Sequence, residues 1–267
     1  MNQSLAYIHP KARIGSNVKV EPFAYIAGDV EIGDNTWIGP NATILDGARI
    51  GKNCKVFPGA VVSAIPQDLK FKGEETVAII GDNTVLRECV TVNRGTISKG
   101  LTKVGNNCLI MAYVHVAHDC IIGNNVILGN AVQLAGEVEI DDFAILSGGC
   151  LVHQFERIGA HVMVQGGSKV NKDIPPYSRV GRDPIVFVGL NTIGLRRRQF
   201  DAQKVAEIQE IYRIFYSKGM NVSQAISEIE GTMPQTEERD QILDFVRNST
   251  RGIVRGPNSE PVVDDDM

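Results

Sequence analysis

An aliphatic residue stands at every sixth position from Val104 to Val170: Val104, Ile110, Val116, Ile122, Leu128, Leu134, Ile140, Leu146, Val152, Ile158, Val164 and Val170. Gly often follows it, as in Val104-Gly105, Ile122-Gly123, Leu128-Gly129 and Ile158-Gly159, and a second compact residue comes four places on: Cys108, Val114, Cys120, Val126, Val132, Val138, Ala144, Cys150. A period of six is neither the two of a flat strand nor the 3.6 of a helix. It marks the hexapeptide repeat of a parallel β-helix, in which each hexad supplies one short strand and one corner, and three hexads close a triangular coil. The same register runs through Ile8, Ile14, Val20, Ile26, Ile32, Ile38, Ile44, Ile50, Val56 and Val62, with Asn, Asp and Gly between, as in Gly33-Asp34-Asn35. Those residues tolerate tight turns.

The period fails over 63–79, a polar segment holding Pro66 and Gly73, and again over 93–103, which opens with Arg94-Gly95-Thr96. Both read as loops ejected from the coil, where solenoids place their binding residues. The repeat ends near Pro175-Pro176, and from Asn191 the pattern turns helical. Val205, Ile208, Ile211, Tyr212 and Phe215 mark an amphipathic helix begun by Asp201 and ended by Gly219. Asn221 and Gln224 match a capping box for a second helix, and a third is expected near 237–248. The chain therefore divides into a β-helix over 1–188, a small α-helical domain over 189–256 and a tail over 257–267 expected to lack order.

Apolar residues make up 43%, enough for a continuous core, and aromatics only 6%, which suits a narrow aliphatic interior. The formal net charge of −4 offers no general attraction to nucleic acid or anionic membranes. Of five cysteines, Cys54, Cys108, Cys120 and Cys150 occupy the compact slot of a repeat and read as buried reduced thiols. No basic-then-apolar N-terminal stretch and no span-length apolar run occurs, so a cytoplasmic protein without stable membrane insertion is expected.

Residues eighteen apart stack on successive coils about 4.8 Å apart. This puts Gly136 one coil above His118 and His153 two coils above Ala117, so His115, His118, Gly136 and His153 converge on one edge. An imidazole with a pKa near ~6.5 can act as a general base. Asp119 could orient such a ring, and Gly136 leaves its amide approachable as an oxyanion donor. His9 and His161 lack such company and read as structural. Two alternatives stay open. Three imidazoles can hold zinc with one open position, as in trimeric β-helix carbonic anhydrases, although the spacing of His115, His118 and His153 is poor for one ion. A plain scaffold is the other. No Ser or Cys is placed beside a histidine, which favours direct attack by a substrate hydroxyl over an acyl-enzyme. Arg196-Arg197-Arg198, with Lys169, Lys172, Arg179 and Arg182 upstream, reads as a dock for phosphates or an acidic protein.

The segments His115-Val-Ala-His118-Asp119-Cys120, Asp142-Phe-Ala, Val152-His153-Gln154-Phe155, Ile158-Gly-Ala-His161-Val-Met-Val164, Gly194-Leu195-Arg-Arg197-Arg198 and Ser249-Thr-Arg-Gly252 give the chain a specific resemblance. Over nearly all of residues 1–255 it resembles the UDP-N-acetylglucosamine O-acyltransferases of lipid A biosynthesis. The resemblance implies a left-handed β-helix with a C-terminal helical domain, assembled as a homotrimer with active sites between subunits. It implies transfer of an (R)-3-hydroxyacyl group from acyl carrier protein to the glucosamine 3-hydroxyl of UDP-N-acetylglucosamine, with no cofactor beyond the carrier's phosphopantetheine and no metal. His118 matches the general base and Gly136 the oxyanion donor. Asp68 and Lys70 match contacts to the sugar nucleotide, and His115, His153 and Gln154 match further site residues. Asn191, Arg197 and Arg198 match positions near the nucleotide and the phosphopantetheine arm. Gly166 matches the floor of the acyl pocket and implies a chain longer than ten carbons. The chain departs from the pattern at Glu137, Ile193 and Pro184, and Glu156 breaks the small-residue rule of its own repeat. The sibling N-acyltransferases carry an additional N-terminal domain, whereas here the repeat starts at Ile8.

Overall fold

The computed structural model describes residues 5–256. Short parallel strands stack into sheets of nine, eight and ten strands that form the walls of a left-handed β-helix. Strand partners are eighteen residues apart wherever the repeat is unbroken, as in His115↔Gln133, Gln133↔Leu151 and Leu151↔Lys169. The aliphatic of each hexad points inward, and Ile26, Ile38, Ile44, Leu86, Ile110, Ile122 and Leu128 are fully buried. Burial of such side chains stabilises the coil by about 1.5–3 kcal/mol each.

The corners explain the polar residues between the aliphatics. Asn17, Asn35, Asn53, Asn83, Asn107 and Asn125 all adopt φ between 55° and 59°, the left-handed region that Asn tolerates best after Gly. Their neighbours form a ladder along the edge. Asp34 Oδ1 accepts from the Ser16 amide at 2.8 Å, Asp82 Oδ1 from Lys52 at 2.7 Å, and Asn124 Oδ1 from Asn106 at 2.9 Å. The compact slots behave as expected: Cys54, Cys108, Cys120 and Cys150 are buried free thiols. Each donates to a carbonyl of the next coil, at 3.1–3.2 Å.

Both ejected loops are shorter than the lost period suggests. Strands Val61–Ala64 and Val77–Ile80 leave 65–76 outside the coil, and strands Thr91–Asn93 and Leu101–Val104 leave 94–100. Aliphatic periodicity reports side chains, whereas strand pairing is a property of the backbone, and it persists through Ala64↔Asn93 and Val77↔Leu101. The insertions stretch the register to Val61↔Thr91 and Thr91↔His115 before it returns to eighteen.

The expected domain boundary at 188/189 falls inside a strand. Ser178–Gly181 and Val186–Leu190 pair antiparallel and close the end of the ten-stranded sheet, so helix begins only after them. Helix α1 spans Thr192–Arg197, α2 Ala202–Ser217, α3 Val222–Thr232 and α4 Glu237–Arg247. Asp201 caps α2 through the Lys204 amide, Gly219 follows it at φ 67°, and the Asn221–Gln224 capping box is present. The Tyr212 hydroxyl donates to the Pro176 carbonyl, Tyr177 bonds Gln241, and Tyr216 donates to Val254. These bonds fix the helices to the last coil. After α4 the chain returns along that coil through the bridges Asp173↔Ile253 and Val186↔Arg255. Among the described residues no helix is long and apolar enough to cross a membrane. The tail over 257–267 lies outside the described residues.

Candidate active site

The coil-to-coil bonds Glu137 N–H to His118 O and Phe155 N–H to Gly136 O stack His118, Gly136 and Gln154 on one corner. His118 Nδ1 lies 2.8 Å from Asp119 Oδ2. A carboxylate only accepts, so the proton sits on Nδ1 and Nε2 is left with a free lone pair. The ring lies against Gly136: a Cβ on that residue would come within 2.6 Å of His118 Cε1 and 2.7 Å of Nε2. Among the described residues the Gly136 amide has no acceptor within the chain. A proton acceptor and an uncommitted backbone donor therefore share one corner.

Asp119 is fully buried. It accepts from the Thr96 amide at 3.0 Å, the Thr96 hydroxyl at 2.7 Å and the Lys99 amide at 3.2 Å. Burial pushes its carboxyl pKa up, but the bonds from Thr96 and His118 outweigh burial and hold it below the usual carboxylate range. The loop 94–100 is thus a clamp on the residue that orients His118. The sequence marked this loop without revealing that function, because the contact crosses from one ejected loop to a corner 20 residues or more away.

His115 lies on the adjacent strand with Nδ1 2.7 Å from the Thr91 hydroxyl oxygen, a partner the sequence did not disclose. Burial, and then the neighbouring His118, push its pKa below the usual value, which favours the neutral ring. His153 is exposed on the same side of the coil stack, two coils along, and its Nδ1 is 3.2 Å from Arg251 Nη2. Among the described residues of the chain no three His, Cys, Asp or Glu side chains converge as a metal site requires.

Residues 173–254 match the family model described as UDP N-acetylglucosamine O-acyltransferase, domain 2. Residues 11–36, 29–64 and 101–136 match the bacterial transferase hexapeptide model. An acyl-[acyl-carrier-protein]–UDP-N-acetylglucosamine O-acyltransferase of Pseudomonas aeruginosa is 47% identical over 251 residues, covering 94% of this chain and 97% of its own. The chain belongs to the UDP-N-acetylglucosamine O-acyltransferase family. Among solved structures, the UDP-N-acetylglucosamine acyltransferase of Bacteroides fragilis is 56% identical with a TM-score of 0.94, covering 96% of this chain and all of its own. That of Francisella novicida is 41% identical with a TM-score of 0.93, over 96% and 94% of the two chains. Even the Arabidopsis enzyme, at 31% identity, superposes with a TM-score of 0.83 over 96% of this chain and all of its own.

The other residues expected at the site from the sequence have the following surroundings. Asp68 turns the first loop, accepting from the Lys70 amide at 2.9 Å, while the Lys70 side chain is exposed. Among the described residues, no hydrogen bond or ion pair joins Asp68 or Lys70 to the three histidines. Asn191 is buried and already committed. It caps α1, accepting from the Gly194 amide at 3.1 Å, and donates to the His161 carbonyl at 2.9 Å. Arg198 is docked, with Nη2 donating to the Phe143 carbonyl at 3.1 Å and its guanidinium 5.2 Å from the Phe143 ring centre. Arg197 is exposed and borders an open cavity of ≈ 320 Å³ with Ile145, Met163, Arg179 and Ile193. Gly166 lines a neighbouring cavity of ≈ 520 Å³ with Ser147, Met163, Gln165 and Arg182. Of the departures, Glu137 accepts from the Ser98 hydroxyl at 3.1 Å and so ties down the clamping loop. Ile193 and Pro184 are both exposed.

Proposed function

We propose that this protein transfers an (R)-3-hydroxyacyl group from acyl carrier protein to the glucosamine 3-hydroxyl of UDP-N-acetylglucosamine, the opening step of lipid A biosynthesis, working as a homotrimer in the cytoplasm without metal or acyl-enzyme. The observation that carries this reading is the His118–Asp119 pair set against Gly136. His118 Nε2 takes the proton as the sugar oxygen attacks the thioester carbon. The Gly136 amide donates to the oxyanion of the tetrahedral intermediate. Collapse breaks the carbon–sulfur bond, and the imidazolium returns its proton to the departing phosphopantetheine thiolate. Asp119 stabilises the imidazolium between the two steps. His115, His153, Gln154, Asp68, Lys70 and Asn191 serve binding of the sugar nucleotide, Arg197 and Arg198 the carrier side, and Gly166 bounds the acyl chain.

The test is an acyl-transfer assay with purified protein, UDP-N-acetylglucosamine and a panel of 3-hydroxyacyl carrier proteins of increasing length, with and without chelator. Chelator-resistant transfer, best with a chain longer than ten carbons, is the expected result. Absence of transfer with every donor overturns the proposal.

A further inference from the structure

The site reading leaves Glu156 without a part to play, yet it stands in the slot that holds Cys120, Val138, Ala144 and Cys150 in neighbouring hexads, and its side chain is fully buried. Its Oε1 accepts from Arg251 Nε at 3.1 Å. Arg251 lies on the segment that follows α4, held to the last coil by the Asp173↔Ile253 bridge and by the Ser249 hydroxyl, which donates to Asp173 Oδ2 at 2.7 Å. The same guanidinium puts Nη2 3.2 Å from His153 Nδ1. One arginine thus spans a buried carboxyl and an exposed imidazole of the proposed site.

We infer that Arg251, held by Glu156, is a positioning residue that fixes the orientation and tautomer of His153. A guanidinium has donors and no acceptor and does not lose its charge in proteins. A ring nitrogen facing it must therefore present a lone pair, which leaves the proton of the neutral ring on Nε2. The Gln154 carbonyl lies 3.0 Å from the same Nδ1 and would take a proton there if Arg251 were gone. The imidazole is thus held between two partners that demand opposite tautomers, and Arg251 selects one. The outcome is the reverse of His118, whose Nδ1 proton faces Asp119. On one edge, His118 offers a proton acceptor and His153 a proton donor, Nε2–H, suited to an oxygen of the sugar nucleotide. The role of that donor rests on the acyl-transfer reading, whereas the tautomer does not.

The test joins a spectroscopic and a kinetic arm. Ring nitrogens of His153 are assigned by 15N NMR at alkaline pH, where imidazoles are neutral, in the wild type, R251A and R251K. His153→Ala identifies the signals. The expected spectrum places the wild-type proton on Nε2, moves it toward Nδ1 in R251A and restores it in R251K. Kinetically, R251A raises KM for UDP-N-acetylglucosamine by about tenfold, the effect of losing one charge-assisted bond, with a smaller change in kcat, and adds nothing further in an H153A background. A wild-type proton on Nδ1, an unmoved tautomer in R251A, or additive losses in the double variant overturns the inference. Should the protein prove inactive on this sugar nucleotide, the spectra still decide whether Arg251 sets the tautomer.

Discussion

The His118 imidazole rests so closely on Gly136 that no side chain fits between the two coils: an added Cβ would lie 2.6 Å from Cε1 and 2.7 Å from Nε2. Gly136 has an ordinary backbone conformation, since it is absent from the left-handed positions, so its glycine is required by the ring and not by the turn. Gly136→Ala is therefore expected to push the base out of line without loosening the coil. A misplacement near 1 Å costs about a hundredfold in rate. Steady-state kinetics should show kcat reduced by that order while the thermal midpoint stays close to that of the wild type. A fall in the midpoint that matches the loss of activity would show the glycine to be structural instead.

Asp119→Asn replaces an acceptor-only carboxylate by an amide that can donate to His118 Nδ1. The proton would then leave Nδ1 for Nε2, the atom required as the base. A loss of roughly 10³–10⁴ in kcat is expected, in line with the known consequence of inverting a catalytic imidazole. Thr96→Val, which removes one of the bonds to Asp119, should act in the same direction but far more weakly. The sign of the pH effect follows from the lowered carboxyl pKa: the stability Asp119 contributes is full above its unfolded value of about 3.9 and is lost as pH falls through the lower folded value. Acid unfolding of Asp119→Asn should therefore show less stability lost below about pH 4 than the wild type does, read by circular dichroism.

Much of this fold was legible because a solenoid translates sequence distance into space at a fixed rate. The interval of eighteen residues that aligns His115 with Gln133 and Leu151 also stacks His118, Gly136 and Gln154, so the candidate corner could be assembled from the sequence. Legibility ends where contacts leave the period. Thr96 reaches Asp119 from an ejected loop, Thr91 meets His115 across a coil stretched by an insertion, and Arg251 arrives beside His153 only because the chain doubles back after α4. Asn191 and Arg198 also make contacts outside the period: Asn191 caps α1 through the Gly194 amide and Arg198 donates to the Phe143 carbonyl, bonds that residue spacing alone does not predict.

The four core thiols are predicted to be silent. Burial pushes Cys54, Cys108 and Cys150 up and Cys120 to about 12, so the reactive thiolate is scarce at neutral pH. Cys89 is the exposed one. Titration of the native protein with a thiol reagent should label Cys89 alone, and denaturant should release the full complement of 5. Rapid native modification of Cys120, mapped by mass spectrometry, would mean that the coil opens far more readily than its packing implies.

Glu156 makes stability fall as pH rises, the reverse of Asp119. Burial pushes its carboxyl to about 7, and the charge of Asp173 adds to this, while the bond from Arg251 works against it. The neutral acid is the form the fold prefers. Its contribution is full below the unfolded value near 4.5 and is lost progressively as pH climbs through about 7. At 1.36 kcal/mol per unit, the span corresponds to roughly 3 kcal/mol. Glu156→Gln keeps an oxygen for Arg251 Nε but carries no charge to bury. Denaturant unfolding should therefore find this variant close to the wild type at pH 5 and more stable than it at pH 8. Equal stability at both values would mean that Glu156 stays ionised in the fold, with Arg251 compensating its burial throughout.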